Sequence, residues 1–290
     1  MSTTRTLALL ALITTTLMLT CAASIHLGDQ QISALNFGGQ PIATRYLGDQ
    51  LIFGGDDGGS GAPGPVTTGL LQWLDAIDNT GSGHDSATLT WTDKSGNNNH
   101  GALTNYTGAP WAADNLPFNG GNQHVLTNSL PLTAIGTTCT IEIVVQSNVW
   151  SNYRGIAGDH TTHPGLVFGQ YDSGLVFGLS NPAGTGMQIG YTVPSGSVPT
   201  GQRMSLVMVV EAGASVKIYK NGALITSVTT IAPVSGFSPT LRWTLGRAYN
   251  SSNRYLSGHI CSSKVYNRAL SPQEIEQNFA YENARYAITQ

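Results

Sequence analysis

The sequence predicts an all-β protein: a two-sheet sandwich of many short strands, closed by one C-terminal helix. Charged residues make up only 10% of the 290, while 35 are Gly. Gly, Thr, Ser and Asn crowd between short β-branched runs, the pattern of many strands joined by turns. Asn221-Gly222 divides the stretch Ser215–Ile225, and Asn-Gly between apolar runs is a strong hairpin signal. The chain's end reads as helix. Ser271 can cap it, Pro272 takes a first position that needs no N–H, and Glu274 completes a capping box. Ile275, Phe279 and Tyr286 share one face, so a helix from about Pro272 to Ala287 lies against something apolar.

Taken in order, residues 1–23 have the layout of a signal peptide: Arg5, the apolar run Leu7–Leu19, then Thr20-Cys21-Ala22-Ala23. Cleavage after Ala23 would leave Cys139 and Cys261. Thr20 fits a lipoprotein motif at Cys21 poorly. Thr14-Thr15-Thr16 interrupts the apolar run and favours strand, so a segment buried in a larger assembly is the other reading. No span is long enough for a transmembrane helix. Net charge is −3, from 13 basic and 16 acidic residues. With no basic patch, nucleic acid is not an expected partner.

Residues 24–53 repeat. Leu27-Gly-Asp-Gln-Gln-Ile32, Phe37-Gly-Gly-Gln-Pro-Ile42 and Leu47-Gly-Asp-Gln-Leu-Ile52 recur at a period of ten. Each holds a Gly-containing turn, which predicts a β-meander from Ile25 to Phe53. So short a piece cannot hold its own core, so it should attach to a partner or to copies of itself. Residues 54–68 are a Gly- and Pro-rich linker, and 69–290 form the large domain.

In that domain Leu70–Asp75, Thr138–Gln146, Ser205–Glu211 and Leu241–Gly246 read as strands, the second buried on both faces. Trp73, Trp91 and Trp243 fit core positions. Trp91-Thr-Asp93-Lys-Ser95-Gly-Asn97-Asn-Asn-His100-Gly101 reads as a sharp turn in which Asp93 and Ser95 bond nearby amides. A calcium site with Asp93 and Asn97 as oxygen ligands is the alternative.

No Gly-x-Ser-x-Gly, His-Glu-x-x-His or phosphate loop occurs, and no catalytic residue is assigned. Sugar recognition needs aromatic faces beside polar groups. Trp150, Tyr153, Arg154, His160, His163, Tyr171, Tyr249 and Asn250 supply both in or beside loops. They are the candidate ligand-binding residues. His160 and His163 also have a spacing that metal could use, against the plainer reading of solvated loop residues.

Two motifs carry a family resemblance. Gly258-x-Ile260 with Val265-Tyr-Asn-Arg-Ala-Leu-Ser271-x-x-Glu274-Ile275, and the Trp91–Gly101 turn, resemble laminin-G-like, concanavalin A-like jelly-roll domains. The resemblance spans roughly 69–290 and implies a two-sheet jelly roll. It brings the strands of Cys139 and Cys261 near one another, as a disulfide or as two buried thiols. Glucanases share this fold, and laminarinase-type members use a Glu-x-Asp-x-x-Glu strand. The nearest stretch here, Glu142-Ile-Val144-Val-Gln-Ser147, lacks the Asp and the second Glu. Glu142 is therefore expected to be exposed or at a sheet edge. The tail Asn278–Tyr286 and the Leu-Gly-Asp units look like those of tailed-phage structural proteins. That resemblance implies a non-enzymatic fibre or decoration protein of the virion. Residues 25–53 would hold a virion protein or form a homo-oligomer such as a trimer. The large domain would bind a glycan or surface protein of the host. Competing expectations are a secreted carbohydrate-binding or adhesion module and, less so, a glycoside hydrolase.

Overall fold

A computed structural model describes residues 63–131, 138–149, 155–159, 166–171, 174–180, 187–193, 198–211, 215–229, 240–248 and 254–288, with six short strands inside 26–54. The chain divides into two compact units, Met1–Gly61 and Ala62–Gln290.

In the first unit β1 (His26–Leu27) pairs with β2 (Gln30–Gln31), β3 (Asn36–Phe37) with β4 (Gln40–Pro41), and β5 (Thr44–Leu47) with β6 (Gln50–Gly54). The ten-residue period thus becomes three hairpins. Among the described residues each is its own two-stranded sheet rather than part of one meander. Strands of two residues offer little to pair with, and Pro41 has no N–H to give a further neighbour.

The second unit is built of two antiparallel sheets. One runs β10 (Leu116–Asn119), β21 (Ser257–Tyr266), β12 (Thr138–Ser147), β17 (Arg203–Glu211), β18 (Ser215–Lys220), β19 (Ala223–Val228), with β7 (Leu70–Asp75) also pairing with β21. The other runs β16 (Met187–Val193), β15 (Gly174–Ser180), β14 (Leu166–Tyr171), β13 (Gly155–Asp159), β20 (Thr240–Leu245), β11 (His124–Pro131), β9 (Gly101–Thr104), β8 (Thr90–Trp91). Alternate residues of each strand meet between the sheets. Ile141, Ile143, Val145, Leu206 and Met208 from the first sheet join Val125, Leu130, Trp91, Trp243 and Leu245 from the second in one buried cluster. Each such side chain removed from water contributes about 1.5–3 kcal/mol. The Asn221-Gly222 hairpin forms as expected, with φ of 50° and 79°, the paired positive values of a tight two-residue turn.

Helix α1 (Pro272–Tyr286) lies on the outer face of the first sheet. Its cap is the one the sequence announces: Ser271 accepts from the Glu274 amide, and the Glu274 carboxylate accepts from the Ser271 amide. Ile275, Phe279 and Tyr286 are buried, and so are Asn278 and Glu282. Gly64 to Thr68 already belong to this layer. Gln277 donates to the Gly64 carbonyl at 2.7 Å, Tyr266 to that of Val66 at 3.0 Å, and Arg268 to that of Thr68 at 2.8 Å.

Two expectations change here, and the open choice at the cysteines falls to buried thiols. Glu142 is neither exposed nor at an edge, because β12 sits between β21 and β17 and α1 covers its outer face; Glu142 is 1% exposed. Trp73 is not in the intersheet core. It points to the helix side, edge-on to Tyr281 at 6.0 Å and under the Lys94 ammonium at 4.6 Å. Cys139 and Cys261 are free, buried thiols. Cys139 pairs with Val210, whereas Cys261 falls at the irregularity opposite Val144 and Val145. Five residues of strand separate the two positions by roughly 17 Å, well beyond the ~7 Å that a disulfide spans. Burial pushes both thiols up to about 12.

Candidate functional site

The edge where β13 begins is held by two close approaches at glycines. Gly246, at φ 76°, turns the chain out of β20, and a Cβ there would lie 2.1 Å from the Phe118 ring. The chain then folds back: Ala248 donates to the Arg254 carbonyl at 3.1 Å and Leu256 to that of Gly246 at 2.8 Å. This return crosses directly over Gly155, where an added Cβ would be 1.9 Å from the Ala248 nitrogen. Glycine is required at that crossing. Asn148, just past β12, donates to the Ser257 carbonyl at 2.9 Å and ties the exit of β12 to the same edge.

Side chains continue the arrangement. The Arg247 guanidinium lies over the Tyr255 ring at 5.6 Å. The His124 ring, from the start of β11, lies 6.0 Å from Tyr255. His124 and Tyr255 were not singled out in the sequence. His124 is more than 120 positions from Tyr255, and only the pairing of Val125 with Leu245 brings them together.

Trp150, Tyr153, Arg154, His160, His163, Tyr249 and Asn250 lie outside the described residues, as does the side chain of Tyr171. The strands they adjoin are described, and register orders their ends. Ala157 pairs with Leu245, and Gly155 with Gly169. The start of β13, the end of β20 and the end of β14 therefore share one edge of the sheet. Trp150, Tyr153, Arg154, Tyr171, Tyr249 and Asn250 all adjoin that edge in sequence. His160 and His163 instead follow Asp159, at the other end of β13.

The Trp91–Gly101 stretch has the hydrogen bonds of a structural turn. Asp93 Oδ1 accepts from the Trp73 and Ser95 amides at 2.8 and 2.9 Å. Its Oδ2 accepts from the Asn99 amide and the Ser95 hydroxyl at 2.9 and 2.8 Å. Asn97 turns its NH2 group, a donor that cannot ligate a cation, to the Leu70 and Leu71 carbonyls at 3.0 and 3.1 Å. No cluster of three His, Cys, Asp or Glu suited to a metal occurs among the described residues.

A second group of ionisable residues is sealed beneath α1. Lys264 contacts Glu282 and lies 3.5 Å from Glu142. Asp75 accepts from the Tyr286 hydroxyl at 2.7 Å and from Arg285 at 2.6 Å. Burial pulls the Lys264 ammonium below its usual range, while Glu142 and Asp75 pull it back up. The side chains of Lys264, Glu142 and Glu282 are at most 2% exposed.

Two facing antiparallel sheets with a helix on one outer face define a lectin-like jelly-roll sandwich. Residues 119–276, more than half the chain, match the laminin-G-type family model described as the concanavalin A-like lectin/glucanases superfamily, and the chain belongs to that family. No curated protein matches the sequence. Among solved structures, domain 4 of a GH43 extracellular arabinanase from Geobacillus stearothermophilus, in complex with arabinotriose, is similar. It shows 18% identity and a TM-score of 0.52, over 72% of this chain and 97% of that one. A Trypanosoma rangeli sialidase shows 16% identity and a TM-score of 0.57 over 79% of this chain and 35% of the sialidase. The binding domain of botulinum neurotoxin DC, in complex with rat synaptotagmin II, shows 16% identity and a TM-score of 0.54 over 76% of this chain and 53% of that domain. The chain thus spans about a third of the sialidase and about half of the toxin domain.

Proposed function

We propose that this protein is a non-enzymatic binding protein whose jelly roll takes a glycan or surface protein of a host cell at the β13–β14–β20 edge. The observation that carries this reading is the convergence there. Three strand ends lead into segments bearing Trp150, Tyr153, Arg154, Tyr171, Tyr249 and Asn250, next to the described Arg247–Tyr255–His124 group. His160 and His163 fall outside the proposed surface. Binding is favoured over hydrolysis because the facing carboxylates Glu142 and Glu282 lie under a helix, out of reach of a polysaccharide. The arabinotriose complex of a similar fold supports a sugar as the ligand class.

We place the protein in a phage virion, as a fibre or capsid-decoration component, with the hairpins of 25–53 as its attachment and oligomerisation piece. The support is the likeness of its repeats and its C-terminal tail to such proteins. The signal-like run Leu7–Leu19 supports the second reading, a secreted carbohydrate-binding module. Mass-spectrometric detection in purified particles supports the virion. Detection only in culture supernatant, with residues 1–23 removed, rejects it. Release of reducing sugar from a polysaccharide panel, abolished by Glu142→Gln, would overturn the non-enzymatic reading.

A further inference from the structure

Lys264 is 0% exposed, on the helix-covered face of β21. A buried ion pair is weak evidence for stability, since desolvation offsets the attraction, and the Glu142 carboxylate that this lysine faces also holds an amide from the helix. Asn278, also 0% exposed, donates from Nδ2 to Glu142 Oε2 at 2.8 Å. Lys264 Nζ lies 3.5 Å from Glu142 Oε1. One carboxylate therefore touches an amine with one oxygen and a carboxamide nitrogen with the other. The Asn278 Oδ1 accepts from the Val66 amide at 2.8 Å, a fixed donor where negative charge would develop if Cγ were attacked. Glu282 and Ser262 hold the far side of the amine, the Ser262 hydroxyl donating to Glu282 at 2.9 Å.

We propose that Lys264 and Asn278 join in an intramolecular amide, with Glu142 as the proton shuttle, so that β21 and α1 become covalently tied. The Lys264 ammonium first gives a proton to Glu142, leaving a neutral amine and a neutral acid. Burial favours that neutral pair over two ions, in keeping with the lowered affinity of Lys264 for its proton. Nζ then attacks Asn278 Cγ, forming the C–N bond, and the oxygen takes negative charge against the Val66 N–H. Glu142 protonates Nδ2, the Cγ–Nδ2 bond breaks, and ammonia leaves. The proton remaining on the new amide nitrogen passes through Glu142 to ammonia, which departs as ammonium. The sum is ammonium plus carboxamide giving a secondary amide plus ammonium, with no oxidant or cofactor. Glu142 holds both reactants on one carboxylate, and holding reactants in place can replace a large share of a bimolecular barrier.

Peptide mapping of the purified full chain tests this without a variant. Denatured protein is digested with trypsin, which cuts after free lysine but not after an acylated one. The expected product is Tyr255–Arg268, uncut at Lys264, joined to Ala269–Arg285 and lighter than the two together by one ammonia. Recovery of Tyr255–Lys264 and Ala269–Arg285 as separate linear peptides from essentially all the protein overturns the proposal. A link from Lys264 to Glu282, lighter by one water, overturns the assignment to Asn278. In Glu142→Gln the joined peptide should be lost from folded protein; its full retention removes Glu142 from the chemistry.

Discussion

Replacing Asp93 by alanine should destabilise the domain strongly and do nothing to calcium binding. Its carboxylate accepts four hydrogen bonds, from Trp73 N, Ser95 N, Ser95 Oγ and Asn99 N. They clamp the Trp91–Gly101 turn onto β7. A hydrogen bond to a charged group contributes about 1.5–3 kcal/mol. Asp93 is 6% exposed, so the released donors regain only part of that from water. Taking the four together with partial rehydration, the loss is about 3–5 kcal/mol, in the range of a disrupted buried network. For a domain of this size each kcal/mol lowers Tm by about 2–4 °C, so a fall near ~10 °C is expected. Asp93→Asn keeps one accepting oxygen but opposes an NH2 to the Asn99 N–H, and should lose about half as much. The assay is thermal unfolding by circular dichroism, with calcium and with chelator. Calcium that raises the wild-type Tm but not that of Asp93→Ala would point to a metal site, and an unchanged Tm in the alanine variant would refute the stabilising turn.

Other perturbations probe other parts of the account. Gly155→Ala puts a Cβ 1.9 Å from the Ala248 nitrogen; it should cost about 3 kcal/mol or more by urea titration and displace the candidate edge. The bidentate Arg268 guanidinium holds the Glu274 carboxyl down to about 2, from 4.5 when free. A depressed carboxyl stabilises the fold above its unfolded value, so this contribution should fade as pH drops from 4.5 to about 2. Melting curves of Glu274→Gln should lack that component across the same window. Cys139 and Cys261, raised to about 12 by burial, should resist a thiol reagent in the native protein and react on unfolding. Reductant should leave Tm unchanged; a reductant-dependent fall would show a disulfide.

Much of the fold was legible because its signals are local. The Ser271–Glu274 cap, the Asn221-Gly222 turn and the both-face burial of β12 each follow from a few adjacent residues. The layer under α1 was harder. Asn278 and Glu282 continue the helical stripe of Ile275, Phe279 and Tyr286, so their spacing did mark them as inward. Their polarity hid that, since burial of such groups depends on partners more than a hundred positions away, such as Glu142. Glu142 was misplaced for the same reason: only sheet order shows that β12 is central. Among the candidate ligand residues, the sequence grouped His160 and His163 with Trp150 and Tyr249 as loop residues. Strand direction separates them, and nothing within either loop encodes which end of β13 it adjoins.

The central claim is a binding surface at one end of β13, and glycan-array binding of the full chain with paired variants tests it most directly. Trp150→Ala and Tyr249→Ala should lose at least tenfold in apparent affinity with Tm unchanged, while His160→Ala and His163→Ala bind as wild type. Loss of binding in the histidine variants, with the aromatic variants unaffected, would contradict the account and move the surface to the opposite end of the sheet.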